Sequence, residues 1–288
     1  MSTTDCLETC YNSHKYLNLS IPMRRNKQIV LSRLFYTLIS LTLLLLMPTL
    51  SAQPMTFTEI ENPEQFIAEQ KQAALENNKK ILWVLGSQWC HDSRSLERKL
   101  HLPKMASILA DYYQTSLIDV SYLSEGFDFT ELVGMRTYYA TPTVLIIDPE
   151  TMSLINAEDM HIWSNAYKIS EQETHDYFLR YGSLDVRSEQ TDAPELTADQ
   201  QALLAELSKY VKSQERRIQA SYLVIGPMLE AYKKGEADRK FDRYWNALAK
   251  IRMQLPQTIA DNKAMIMALN AGESTELKLP EDKPLPWE

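Results

Sequence analysis

The sequence predicts an α/β fold, with a central sheet and flanking helices, followed by an α-helical C-terminal extension. Three observations carry that expectation. Apolar runs of strand length alternate with helix-like segments between residues 55 and 182, the pattern of a sheet whose strands are joined by helices. The polar stretch SLDVRSEQTDAPE at 183–195 then interrupts the alternation as a linker. Beyond it, apolar residues recur at three- and four-residue spacing through the extension at 196–288, which is helix periodicity.

A short run at 55–60 comes first. NPEQFIAEQKQAALENN at 62–78 reads as a helix, with Asn62 as cap, Pro63 at its first position and a partial stripe of Phe66, Ile67, Ala74 and Leu75. KILWVLG at 80–86 is a buried strand closed by glycine. The segment 90–113 reads as helix, broken or kinked at Pro103. TSLIDVSYL at 115–123 is a second strand that ends in a loop at 124–126, and DFTELVGM at 128–135 is a short helix. TPTVLIID at 141–148 is the third strand, and MSLIN at 152–156 is placed to pair with it as a hairpin. ISEQETHDYFLRYG at 169–182 is a helix with glycine at its end. In the extension, Leu203, Leu204, Leu207, Tyr210 and Val211 begin a helical pattern that Ile218, Tyr222, Ile225 and Leu229 continue to Lys234, with a kink expected at Gly226–Pro227. A further helix carries Phe241, Tyr244, Trp245, Leu248 and Ile251, and the proline-rich tail at 278–288 is irregular. Trp83 and the Tyr244/Trp245 pair fall on apolar patterns and read as core. No internal repeat is visible.

The N-terminal region, 1–52, reads as a signal-peptide region. LFYTLISLTLLLLM at 34–47 is an apolar run of 14 residues behind Arg24, Arg25, Lys27 and Arg33, and Ser51-Ala52 offers a small-residue cleavage site. The run is shorter than the ~20 residues a confident membrane span needs. An uncleaved inner-membrane anchor is the alternative, because Leu50 suits the cleavage site less well than alanine. Residues 1–22 make an unusually long leader, and Met23, followed by two arginines, is the expected true start. Export to the periplasm or outside the cell follows. Net charge is -8 over 288 residues, and removal of 1–52 takes five basic and two acidic residues, leaving 236 residues at -11. That excludes nucleic acid as a partner and gives no attraction to anionic lipid. Of three cysteines only Cys90 stays in the mature chain, so no internal disulfide forms and one thiol is left over.

Cys90 stands where the first strand enters a helix, in VLGSQWCHDS at 84–93. At a helix N-terminus, unpaired amides and the helix dipole favour a thiolate, which is the nucleophilic form. About fifty residues on, Thr141-Pro142-Thr143 puts a proline just before a strand, a position suited to a cis peptide bond. Together WVLGSQWCHDS and TPT resemble the thioredoxin superfamily over 55–182. The resemblance implies a nucleophilic Cys90, a loop at Thr141, Pro142 and Thr143 that holds an extended substrate segment beside the sulfur, and Trp89 at the substrate surface.

Three departures from that pattern shape the chemistry. Serine, Ser93, occupies the place of the resolving cysteine. Val84 replaces the buried acid six residues before the reactive cysteine. His91-Asp92 replaces Gly-Pro. One sulfur can attack a disulfide but needs an external thiol for release, such as glutathione or the substrate's second cysteine. Ser93 is expected to donate a hydrogen bond to the thiolate. A charged His91 would stabilise that thiolate, and Asp92 would oppose it, although a first-turn acid at a helix start needs no further explanation. Tyr138 and Tyr139 read as packing residues that could also line a groove. Adjacent side chains at 90–92 diverge and make a poor metal site. A one-cysteine peroxidase would need proline seven residues before the cysteine, where Trp83 stands. The expected activity is therefore isomerase-like or deglutathionylating exchange on disulfide-containing or glutathionylated exported proteins, with no cofactor beyond glutathione as thiol co-substrate. The rival reading is a non-catalytic peptide-binding or chaperone-like module, with homodimer or partner contact through the C-terminal helices.

Overall fold

Three strands make the sheet, in the order β2–β1–β3: β1 (Lys80–Gly86), β2 (Tyr113–Asp119) and β3 (Thr143–Ile147). In this computed structural model, residues 55–186, 196–236, 238–270, 272–273 and 275–288 are described. The signal-peptide expectation at 1–52 and most of the predicted linker lie outside them. β1 runs parallel to β2, from Lys80 opposite Tyr113 to Gly86 opposite Asp119. It runs antiparallel to β3, from Ile81 opposite Ile147 to Leu85 opposite Thr143. Both β1 and β3 are apolar almost throughout and buried on both faces, as a strand covered on two sides requires.

α1 (Pro63–Glu76) starts as the sequence predicts, with Asn62 accepting the Gln65 amide at 3.2 Å and proline at the first turn. α2 (His91–Leu100) and α3 (Pro103–Tyr112) are separate helices divided at Pro103. α4 (Phe127–Leu132) follows the left-handed Gly126. A 3-10 helix spans Met160–Asn165, and α5 (Glu171–Ser183) opens on a capping box from Ser170 and Glu173.

Several expectations need correction. β2 stops at Asp119, because Ser121 and Leu123 adopt positive φ and fold 121–123 into a turn. The MSLIN hairpin reduces to one bridge, Ile147 to Leu154, and the 55–60 run to one bridge, Thr58 to Ile118. Gly182 lies inside α5 and serves packing: a Cβ there would sit 2.8 Å from the Tyr112 ring.

α6 (Ala198–Lys233) and α7 (Phe241–Met267) form the extension. α6 continues through Gly226–Pro227, where the spacing predicts a kink. Proline withholds the hydrogen bond owed to the carbonyl of Leu223. Leu223 is 69% exposed, on a face where water can serve that carbonyl. Gly226 has a separate reason, since a Cβ there would meet the Tyr122 carbonyl oxygen at 2.4 Å. The two helices pack on the sheet, as Pro54–Glu288 forms one compact unit. Ile218, Tyr222, Ile225, Leu229, Phe241, Leu248 and Leu255 share a core with Ile81, Trp83, Leu85, Leu145 and Ile147. The opposite face, with Leu82, Val84, Val144 and Ile146, is covered by Leu96, Leu100 and Met105 of α2 and α3, with Trp163 and Phe178.

Candidate active site

The antiparallel pairing of β1 and β3 brings the chain leaving β1 beside the chain entering β3, and this register sets Cys90 against the 141–143 loop. The Cys90 thiol donates to the Thr141 carbonyl at 3.1 Å, and the Thr141–Pro142 peptide is cis. Cys90 is the N-cap residue of α2, in extended conformation, and the residue is only 9% exposed. Thr143 closes the loop by donating to the Ala140 carbonyl at 2.8 Å.

The residues flanking the sulfur are held firmly. The Trp89 indole donates to the Ser121 carbonyl at 2.6 Å and stacks on Tyr122, with ring centroids 6.4 Å apart. Ser93 is fully buried, and its hydroxyl accepts the Ser87 amide at 3.3 Å. The expected bond from Ser93 to the sulfur is not among the contacts of the described residues. His91 is the outward-facing member, its side chain 66% exposed, with Nε2 3.1 Å from the Asp92 carboxylate. Asp92 is a first-turn acid of α2, as the sequence suggests, and it is also buried, accepting the Tyr167 amide at 2.8 Å. It thereby ties the start of α2 to the segment after the 3-10 helix.

The cysteine opens onto a cavity of about 490 Å³, bounded on one side by Trp89, Cys90 and the 141–143 loop and on the other by α6 and α7. The far wall carries Leu229, Tyr232, Phe241, Trp245, Met253 and Arg252. Trp245, expected as core, is half-buried and faces this space. These residues escaped the sequence reading, because nothing local shows that the extension reaches the sulfur. Arg252 did leave a signal: an arginine on the otherwise apolar stripe Phe241, Trp245, Leu248, Leu255.

Arg252 is buried, donates from Nε to the Tyr139 carbonyl at 2.6 Å, and lies 5.4 Å from the Tyr222 ring centre. That ring contact is a cation–π arrangement. Tyr222 donates to the Tyr138 carbonyl at 2.6 Å and stacks on the Tyr138 ring at 5.1 Å. Burial pushes the Tyr222 phenol up to about 12, against the pull of Arg252. The Tyr139 hydroxyl donates to Glu215 at 2.6 Å. Burial pushes the Glu215 carboxyl above its ordinary value, with the Tyr139 bond and Arg136 opposing. The extension thus holds two successive carbonyls of the strand-entry loop. Among the described residues, no group of three His, Cys, Asp or Glu side chains is placed to hold a metal ion, and no helix is long and apolar enough to cross a membrane.

No protein family matches the chain by sequence, and no curated protein does. Among solved structures it is similar to "The crystal structure of disulphide isomerase from Xylella fastidiosa Temecula1", at 21% identity and a TM-score of 0.38, over 44% of this chain and 95% of that one. A likeness of that size says nothing about activity, so function has to be read from the side chains themselves.

Proposed function

We propose that this chain is an exported thioredoxin-like protein that performs thiol–disulfide exchange with the single sulfur of Cys90. One observation carries the reading: the sulfur sits at a strand-to-helix junction within 3.1 Å of the Thr141 carbonyl, and both line one open cavity. An extended peptide lying along Thr141, Pro142 and Thr143 would bring its disulfide beside the nucleophile. Cys90 gives its proton to solvent or to a base such as His91, and its thiolate attacks one sulfur of a disulfide R–S–S–R′. The substrate S–S bond breaks, a Cys90–S–S–R bond forms and R′–S⁻ leaves, with no net change in oxidation. Ser93 cannot repeat that attack from within, so an external thiol, glutathione or the substrate's second cysteine, completes the cycle. Substrates would be disulfide-containing or glutathionylated exported proteins.

A second reading draws on the burial of Cys90: the loop and cavity hold a peptide, and the thiol does no chemistry. Acid-quenched, non-reducing mass spectrometry of the protein taken from cells separates the two. Exchange predicts a substantial fraction of Cys90 in mixed disulfides, and a Cys90→Ala variant that loses the phenotype of the native chain. A thiol that stays free throughout, with the Cys90→Ala variant fully functional, would leave the peptide-holding reading standing.

A further inference from the structure

The wall of the cavity opposite the sulfur belongs to α6 and α7, and its chemistry differs from that of the sulfur's own wall. Leu229, Tyr232, Phe241, Trp245 and Met253 make it apolar and aromatic. Met253 is 74% exposed and Tyr232 45%, so two large apolar side chains stand open to water at the rim of a reactive thiol. Such surface is normal when scattered and informative when it borders a pocket. The charged groups of the lining come close to cancelling, Arg252 and Lys233 against Asp92 and Asp242. Arg252 is already committed to the Tyr139 carbonyl and the Tyr222 ring. Glutathione carries two carboxylates and an ammonium, and of the lysine and arginine side chains in this lining only Lys233 is left to meet a carboxylate, with His91 and His161 beside it. The cavity, at about 490 Å³, is in the ~300–1,000 Å³ range of sites that enclose a whole ligand.

We infer that the helical extension supplies a specificity subsite for a large apolar side chain close to the substrate's cysteine, so that the preferred disulfide is one carried by an apolar polypeptide segment and not glutathione disulfide. The inference rests on the exchange reading of Cys90 and says which disulfide that sulfur selects. The peptide backbone lies along the 141–143 loop, its sulfur meets Cys90, and a neighbouring Phe, Leu or Met side chain enters between Trp245 and Met253. The exchange is the balanced step given above, with R the peptide thiol and R′–S⁻ the leaving thiolate.

The test measures the rate of mixed-disulfide formation at Cys90 in the full-length protein, read by quenched mass spectrometry of the Cys90 peptide. Three disulfides are compared: glutathione disulfide, the symmetric disulfide of a short peptide with Phe two residues from its cysteine, and the same peptide with Ser in place of Phe. The Phe peptide should react about tenfold or more faster than the Ser peptide, the lower end of what one apolar pocket discriminates, and faster than glutathione disulfide. In a Tyr232→Ser, Met253→Asp double variant the Phe-to-Ser ratio should fall to within about twofold. Met253 is the more exposed of the two, and the Tyr232 ring stacks on Phe241 at 4.6 Å. A urea midpoint and the single Met253→Asp variant, expected to lower the ratio in the same direction, therefore accompany the double variant. A native ratio near one, a preference for glutathione disulfide, or a ratio the double variant keeps would overturn the inference. If Cys90 reacts with none of the three, the exchange reading fails, and binding of the two reduced peptides to Cys90→Ser protein decides the subsite. Tighter binding of the Phe peptide would support it, and equal binding would overturn it.

Discussion

The two faces of the sheet are closed in different ways. One face, with Leu82, Val84, Val144 and Ile146, is covered by α2, α3, α5 and the 3-10 helix, all from the α/β region itself. The other face, with Ile81, Trp83, Leu85, Leu145 and Ile147, takes Ala74, Leu123, Phe129 and Tyr138 from the α/β region and much of its remaining cover from α6 and α7. Both covers reach the site, in different ways: α2 begins at Cys90 and the 3-10 helix lends Met160, His161 and Ser164 to the cavity, whereas the second cover holds the backbone of the facing loop. Arg252 and Tyr222 hold the carbonyls of Tyr139 and Tyr138, just ahead of the 141–143 loop. Gly226 abuts the Tyr122 carbonyl, and Tyr122 stacks on Trp89 beside the sulfur. The first face therefore carries the sulfur on its own helix, and the second fixes the loop that faces it.

A matched pair of core truncations gives the largest test of that contrast. Phe178→Ala on the first face and Tyr222→Ala on the second should each cost about 3–5 kcal/mol, the range for removing a buried aromatic side chain. Urea unfolding checks that figure. Native-state alkylation of Cys90 then separates the two: Phe178→Ala should leave the folded protein's rate unchanged, and Tyr222→Ala should raise it several-fold by loosening the loop. Equal alkylation rates in the two variants would break the comparison.

Gly226→Ala is a smaller change. The new methyl must push α6 away from the Tyr122 carbonyl, since backbone cannot swing aside as a side chain can. A cost of about 1–3 kcal/mol is expected, despite the ~1 kcal/mol by which alanine favours a helix over glycine. A urea midpoint at or above the native value would remove this contact from the account.

The smallest effect concerns Glu215. Its carboxyl holds a proton to higher pH in the folded chain than in the unfolded chain, chiefly through burial. Folding therefore takes up a proton in the window between the two values, and stability falls as pH rises through the folded one. Tyr139, Arg136 and Lys212 oppose the shift, so its effect on stability should be the smallest of these. Glu215→Gln keeps an acceptor for the Tyr139 hydroxyl and removes the ionisation. Unfolding curves across about pH 4 to 8 should be flatter for the variant above the carboxylate range, and identical slopes would show that Glu215 does not titrate differently on folding.

The contrast between the faces also explains what could be read from the chain. β1 and β3 are unbroken apolar runs, Asn62 and Pro63 announce α1, and Pro103 divides α2 from α3, because each signal lies within a few residues of its effect. Cys90 and Pro142 are each legible at a strand boundary, and their pairing is what the resemblance carried by WVLGSQWCHDS and TPT implies. The end of β2 was not legible: Val120 to Leu123 is as apolar as a strand, and its turn depends on packing under Gly226 and Trp89. Asp92 reads as a first-turn acid, and nothing local shows that the segment at Tyr167 buries it. The far wall of the cavity was hidden for the same reason, since spacing on α7 shows which side chains share a face and not what that face meets.

The bond from Arg252 to the Tyr139 carbonyl spans 113 residues of chain. Chains emerge from synthesis N-terminus first, and their N-terminal parts begin to fold first. Cys90 is thus exposed before the residues that secure its loop and wall its cavity exist in the same space. In a nascent or truncated molecule the sulfur lacks the cavity wall that α6 and α7 supply, and the proposed subsite would act only once the last third of the polypeptide is in place.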